Sequence, residues 1–231
     1  MKIAVLQKTT LLDFPSHIAC IVFLAGCNFR CGFCHSPELV LENQNSSFIN
    51  EEGFFDFLEK RKSQLDGVVL CGGEPTLQTD LLNFCSQIKT LGYLIKLDTN
   101  GSRPAMLEKL ISNRLLDYVA LDIKTSKEKY PKAIGVSLKN IAEQVEKSAQ
   151  VLKKNNVDYE FRTTCVPNIV TREDILQISQ WVGTAKRYFL QTFRPQKTLD
   201  SGFGRLKPYS DQEMAEFQKI ASPFFNFCSI R

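Results

Sequence analysis

The sequence predicts an α/β fold built on a mainly parallel sheet, and three observations predict it. Six short runs of strand-forming residues recur along the 231 residues, several of them continuously apolar, as strands buried on both faces should be. Amphipathic stretches separate the runs, so the chain reads as successive right-handed βαβ units. Polar, charged and glycine residues collect just after each run, at the strand ends where α/β barrels and open α/β sheets place their sites.

The six runs cover residues 18–24, 67–70, 93–97, 118–123, 157–163 and 187–192. After Asn50, residues Phe54, Phe55, Leu58 and Leu65 suit one helix. Leu81, Cys85 and Ile88 follow helical spacing, and Gly92 stands where a helix would stop. Pro104 suits a first turn ahead of Leu107, Leu110 and Ile111. Thr171 with Asp174, and Ser210 with Glu213, have the pattern of capping boxes. Six such units fit an incomplete (β/α) barrel or an open doubly wound sheet. The length allows one sizeable core, so residues 1–231 are expected to form a single domain. Residues 44–47 read as a polar loop and 197–207, poor in apolar residues, as a mobile segment before the last helix.

Composition excludes several classes. A hydrophobic share of 43% with 23% charged residues is globular, not disordered. The net charge of +4 is mild, and the densest basic stretch (Lys124, Lys127, Lys129 and Lys132, interrupted by Glu128) reads as a solvated face, not a nucleic-acid stripe. No apolar run reaches the ~18–20 residues of a membrane span. Asp13 and His17 interrupt the early apolar residues, so no secretory leader is expected. Eight cysteines without such a leader point to reduced thiols or metal ligands in the cytoplasm, not to disulfides.

The cysteines carry the sharpest signal. Cys27, Cys31 and Cys34 follow the first long run at C-x3-C-x2-C spacing. One short loop can then wrap a corner of an iron–sulfur cube, whose preferred protein ligands are thiolates, leaving one iron open to an outside ligand. The alternative is a zinc site completed by His35 or a distant cysteine, although zinc motifs usually come as paired knuckles. Gly72-Gly73-Glu74 follows the second run. Its glycines allow close backbone approach and its carboxylate could accept bonds from an ammonium group, or the segment is a plain turn. Asp98, Asp122 and Lys124 stand at adjacent strand ends. Cys20, Cys85, Cys165 and Cys228 lack cluster spacing and suit small core positions, while Cys71 adjoins the Gly-Gly-Glu turn. With only His17 and His35 present, neither a His-rich metal site nor a Ser-His-Asp hydrolase fits.

The cysteine triplet with Phe33 before its last member, together with Gly72-Gly73-Glu74, resembles the radical SAM superfamily, named for S-adenosylmethionine (SAM). Asp13-Phe14-Pro15, Gly26 to Cys31, Cys34-His35, Gly72 to Gln78, Asp98-Thr99-Asn100-Gly101 and Leu121 to Lys124 extend the resemblance to the activating enzymes of glycyl radical enzymes. Within them the chain looks most like the activating protein of the anaerobic ribonucleoside-triphosphate reductase. The resemblance implies a partial (β/α)6 barrel and a 4Fe–4S cluster on Cys27, Cys31 and Cys34 whose open iron is chelated by SAM. It further implies that Gly72, Gly73 and Glu74 line the methionine amino group and that Phe33 lies near the adenine. Asp98, Thr99 and Asp122 match a monovalent-cation site of related activases, with Asn100 in the same motif. Lys124 matches a residue near the SAM carboxylate, and Arg162 a further SAM-side contact. The implied partners are a glycyl radical enzyme and a low-potential donor such as flavodoxin or ferredoxin, with no nucleic acid and no membrane. Ser36 stands where the family usually has Asn, and Ser16 where it usually has Gly. No second cysteine cluster is present. A small-molecule radical SAM enzyme of the 7-carboxy-7-deazaguanine synthase kind and a non-catalytic zinc-binding protein are the competing readings.

Overall fold

The computed structural model describes residues 1–41 and 47–231. The polar loop expected at 44–47 lies, apart from Ser47, outside the described residues. The elements are β1 (Ile3–Thr10), β2 (Ala19–Leu24), α1 (Pro37–Val40), α2 (Glu51–Lys60), β3 (Gly67–Gly72), α3 (Leu81–Thr90), β4 (Leu94–Thr99), α4 (Pro104–Ser112) and β5 (Tyr118–Asp122). They continue with α5 (Tyr130–Ile134), α6 (Ile141–Lys154), β6 (Asp158–Cys165), α7 (Arg172–Val182), β7 (Ala185–Thr192), α8 (Asp211–Ala221) and β8 (Phe225–Ile230). Strand order in the sheet follows chain order from β1 to β8. β1 pairs antiparallel with β2, whereas β2–β3, β3–β4, β6–β7 and β7–β8 are parallel. This is the α/β, partial-barrel class expected from the sequence, with two edge strands added.

All six expected strands are present, within one or two residues of their anticipated starts and ends. β2 and β3 are buried along most of their length on both faces, which is why their sequences lack the alternation of a half-exposed strand. Both capping boxes form: Thr171 and Asp174 at α7, Ser210 and Glu213 at α8. Pro104 opens α4, where its missing N–H costs nothing. Gly92, just past α3, has φ +90°, a conformation glycine adopts without a Cβ penalty. Leu65 is not part of α2, which ends at Lys60; its N–H closes a following turn on the Arg61 carbonyl. β1 and β8 escaped the sequence reading because they are edge strands; in β1 only Ile3 and Thr10 are buried.

Contacts divide the chain into two compact units. The first comprises Met1–Asn28, Glu38–Thr99 and Ala105–Val119; the second comprises Phe29–Pro37, Asn100–Pro104 and Ala120–Arg231. In the first, Phe14, Ala19, Ile21, Val69 and Tyr118 form an apolar cluster joined by Phe23, Cys71 and Leu94. In the second, α6 turns Ile141, Val145, Ala149 and Leu152 inward at three- and four-residue spacing. No helix of the described residues is long and apolar enough to cross a membrane.

The basic stretch after β5 is in part the solvated face expected of it, with Lys127 and Lys132 exposed, and in part a set of ion pairs. Lys129 donates to Asp174, a carboxylate only 1% exposed, at 2.7 Å. Lys127 pairs with Glu146 at 2.9 Å and stands 5.2 Å from the centre of the Trp181 ring. Lys124 is largely buried and pairs with Asp122 at 3.0 Å. Lys127 and Lys129 thereby fasten the β5–α5 connection to α6 and α7, Lys129 through a buried carboxylate that a charge pattern does not reveal.

Candidate functional site

In the first unit, the turn after β3 grips the chain entering the cysteine loop. Gly73 N–H donates to the Leu24 carbonyl and Glu74 N–H to the Gly26 carbonyl, both at 2.8 Å. The Gln78 side-chain amide donates to the Ala25 carbonyl at 2.9 Å. A Cβ at Gly73 would lie 2.0 Å from the Gly26 carbonyl oxygen, and Gly72 has φ +120° with a would-be Cβ 2.4 Å from the Leu24 backbone. The two glycines therefore admit the protein's own cysteine loop. Nothing in the sequence marks the Leu24–Gly26 backbone as their close neighbour.

Glu74 is fully buried. Its Oε1 accepts from Thr76 N–H at 3.1 Å, Thr76 Oγ1 at 2.5 Å and Thr99 Oγ1 at 2.7 Å. A buried carboxylate is tolerated when donors satisfy it. Here they also tie the end of β3 to the end of β4. Next to Thr99, the Asp98 carboxylate is paired with the ammonium of Lys96, a residue 2% exposed. Sequence reasoning passed over Lys96, although a lysine inside the otherwise apolar run Leu94–Leu97 was a visible signal.

In the second unit, the rest of the cysteine loop is fixed at several points. Arg30 N–H donates to the Ile134 carbonyl at 2.7 Å, Cys34 N–H to the Cys31 carbonyl at 2.9 Å, and Asp200 N–H to the Gly32 carbonyl at 2.9 Å. Phe33 is buried and meets Phe203 edge-on, with ring centres 6.0 Å apart. A Cβ at Gly32 would strike the Phe203 ring at 2.4 Å. The stretch 197–207, expected to be mobile, carries a 3-10 turn, Phe203–Arg205, and sets the Phe203 ring against Gly32 and Phe33.

Asp122, Lys124 and Arg162 come together in the same unit. Asp122 accepts from Lys124 Nζ at 3.0 Å and from Arg162 Nε at 2.8 Å. Burial works to raise the Asp122 pKa, but the two cations outweigh it and hold the carboxyl at about 2. For Lys124, burial opposes the charge, while Asp122 and Cys31 favour it and push its pKa up overall. The network thus sits close enough to the cysteine loop to feel the charge on Cys31. Asn100 is occupied locally, its Oδ1 accepting from Ser102 N–H at 2.9 Å.

A carboxyl depressed from 3.8 to about 2 stabilises the fold on the order of 2 kcal/mol. That stabilisation is complete above about pH 5 and is lost as the pH falls through about 2, below which the group is protonated in both states. Asp122→Asn should therefore be less stable than the parent at pH 6, with the gap narrowing between pH 5 and 2. Urea melts at stepped pH measure it; a gap that stays constant down to pH 2 would contradict the ion network.

None of the eight cysteines is joined in a disulfide. Burial pushes Cys20, Cys85 and Cys165 up to about 12, so these three are inert core residues. Cys27, Cys31 and Cys34 follow one another within eight residues after β2, and three thiols at that spacing suit the ligand chemistry of an iron–sulfur cube.

Comparison with known proteins decides the family. The model of the radical SAM superfamily matches residues 21–182, well over half of the chain. The chain belongs to the radical SAM superfamily. A protein of Methanocaldococcus jannaschii with the provisional name glycyl-radical enzyme activating enzyme is 36% identical over 228 residues, covering 95% of this chain and 91% of the relative. A pyruvate formate-lyase-activating enzyme of Streptococcus mutans is 30% identical over 187 residues, 76% of this chain and 69% of the relative. Among solved structures, SuiB of Streptococcus suis bound to S-adenosylmethionine superposes with a TM-score of 0.68 at 16% identity. That match covers 90% of this chain but 49% of SuiB, so the chain spans about half the length of that structure and shares its fold. The radical SAM family implies a 4Fe–4S cluster and SAM, and the residues on the cysteine loop of this radical SAM protein suit them.

Proposed function

We propose that this radical SAM protein activates a glycyl radical enzyme, generating a radical on a glycine α-carbon of that partner. The observation that carries this reading is the match to the Methanocaldococcus jannaschii activating enzyme, which runs nearly end to end in both chains. The cluster, when bound, supplies the electron that cleaves SAM into methionine and a 5′-deoxyadenosyl radical, which takes a hydrogen atom from glycine.

The chain's own residues bind and orient. Cys27, Cys31 and Cys34 hold the cluster. Gly72, Gly73 and Glu74 line the methionine amino group, and the buried Glu74 keeps that turn in place. Lys124 and Arg162 face the methionine carboxylate, with Asp122 setting the direction of both cations. Phe33 borders the adenine, backed by Phe203. The whole of residues 1–231 acts as one domain in the reducing cytoplasm, supplied with electrons by flavodoxin or ferredoxin. The partner in this reading is the anaerobic ribonucleoside-triphosphate reductase, whose activating protein the motifs of this chain resemble.

Anaerobic incubation of the reconstituted protein with SAM, reduced flavodoxin and each candidate partner tests the reading by electron paramagnetic resonance. A persistent glycyl doublet on the reductase, and none on pyruvate formate-lyase, is expected. A doublet on pyruvate formate-lyase alone reassigns the partner, and no doublet on any glycyl radical enzyme overturns the activating role.

A further inference from the structure

We propose that Lys96 is a built-in cation: its ammonium takes the position beside Asp98 that a monovalent metal ion would need, so this protein works without potassium or sodium. The proposal concerns the cation site that the family resemblance implies at Asp98, Thr99 and Asp122, and it rests on the reading of this chain as a SAM-binding protein.

The observations come from β4. Side chains alternate along a strand, so Leu94, Lys96 and Asp98 share one face. Leu94 joins the apolar cluster of Phe14, Ile21 and Val69 on that face. Lys96 follows it at 2% exposure and ends in an ion pair with Asp98, whose side chain is 13% exposed. Lysine is almost never this buried unless its charge is matched, and an unmatched carboxylate there would be costly too. Each residue therefore accounts for the other. A metal ion bound to Asp98 would meet the Lys96 ammonium at close range in a poorly solvated place, where like charges repel strongly.

The neighbouring donors agree. Thr99 donates its hydroxyl hydrogen to Glu74 at 2.7 Å, which holds the end of β4 beside the buried carboxylate. Asp122, in the other unit, is matched by Lys124 and Arg162. Every carboxylate expected to ligate a cation is balanced by a side chain of this protein. The donor set thus does not fit a metal ion, and the ammonium at Asp98 is fixed by the fold where a dissolved ion would depend on its concentration.

The test compares chloride salts of potassium, sodium, ammonium and tetramethylammonium at equal ionic strength, using the cluster-reconstituted protein. Melting temperature and SAM affinity by equilibrium dialysis are the readouts. The wild-type protein should melt at one temperature in all four and bind SAM with affinities equal within about twofold. Lys96→Met in tetramethylammonium should melt roughly 5–15 °C lower and bind SAM about tenfold more weakly, with potassium or ammonium restoring both. Lys96→Met/Asp98→Asn, which removes both charges, should recover stability and show no salt preference. A wild-type affinity or melting temperature that rises with potassium over tetramethylammonium overturns the proposal, as does a Lys96→Met protein indifferent to the salt. Either failure leaves SAM cleavage by the wild-type protein intact, whereas failure of the SAM-site reading would abolish the SAM-binding signal in every salt.

Discussion

Cys31→Ala, purified and reconstituted anaerobically, should hold little iron or sulfide and cleave no SAM, and Cys27→Ala and Cys34→Ala should behave alike. On the proposed assignment of Cys27, Cys31 and Cys34, each ligand lost leaves two, and no other cysteine has the loop spacing to replace it. Cys31 is 7% exposed on a loop whose backbone is pinned at Arg30, Gly32 and Cys34, so the fold should survive the change. Cys20→Ala and Cys85→Ala are the controls: both thiols are fully buried in the core and held at about 12. Removing them should cost about 1 kcal/mol of stability and leave the iron content unchanged, as should Cys228→Ala. Full iron in Cys31→Ala would remove the basis for the cluster assignment.

Gly73→Ala should be nearly as damaging, through backbone and not through a ligand. The added methyl would sit 2.0 Å from the Gly26 carbonyl oxygen and 3.2 Å from the Cys27 nitrogen. Both are main-chain atoms of the segment leading into the cysteine loop, so no side chain can rotate away. Overpacking of this kind costs about 1–3 kcal/mol or more, which lowers the melting temperature by roughly 2–12 °C in a chain of this size. The larger effect should be on the cluster, because relief of the clash displaces Cys27, and iron retention should fall several-fold. Gly53→Ala is the matched control. It lies inside α2 with nothing within 4 Å of its would-be Cβ, and should stabilise by about 0.5–1 kcal/mol. Equal iron content and melting temperature in the two variants would show that the turn after β3 does not clamp the loop.

These contrasts mark what the sequence makes legible. The six central strands were readable because burial on both faces forces continuous apolar runs, and the capping boxes because Thr171, Asp174, Ser210 and Glu213 act within one turn. The edge strands β1 and β8 were not readable, since exposed faces tolerate polar residues and blur the pattern. α6 was readable in principle: Ile141, Val145, Ala149 and Leu152 keep helical spacing, but Lys and Glu between them drew attention away. At the site, the residue types were legible and their partners were not. Glu74 was visible as a carboxylate, yet its burial beneath Thr76 and Thr99 depends on how β3 and β4 end beside each other. Lys96 was overlooked for the same reason, since the significance of a lysine in a strand depends on what stands two residues along on its face. Phe203 sets its ring against Gly32 from a segment poor in apolar residues, a contact that composition does not reveal.

The central claim, hydrogen abstraction from a partner's glycine, is tested most directly by isotope transfer. The partner enzyme is prepared with α-deuterated glycine and mixed anaerobically with the reconstituted protein, SAM and reduced flavodoxin, and the 5′-deoxyadenosine is analysed by mass spectrometry. One deuterium should appear in 5′-deoxyadenosine for each glycyl radical formed, and cleavage without the partner should be slow and carry none. No deuterium from any physiological glycyl radical enzyme, together with transfer from a deuterated small metabolite, would contradict the activating role and make this a small-molecule radical enzyme.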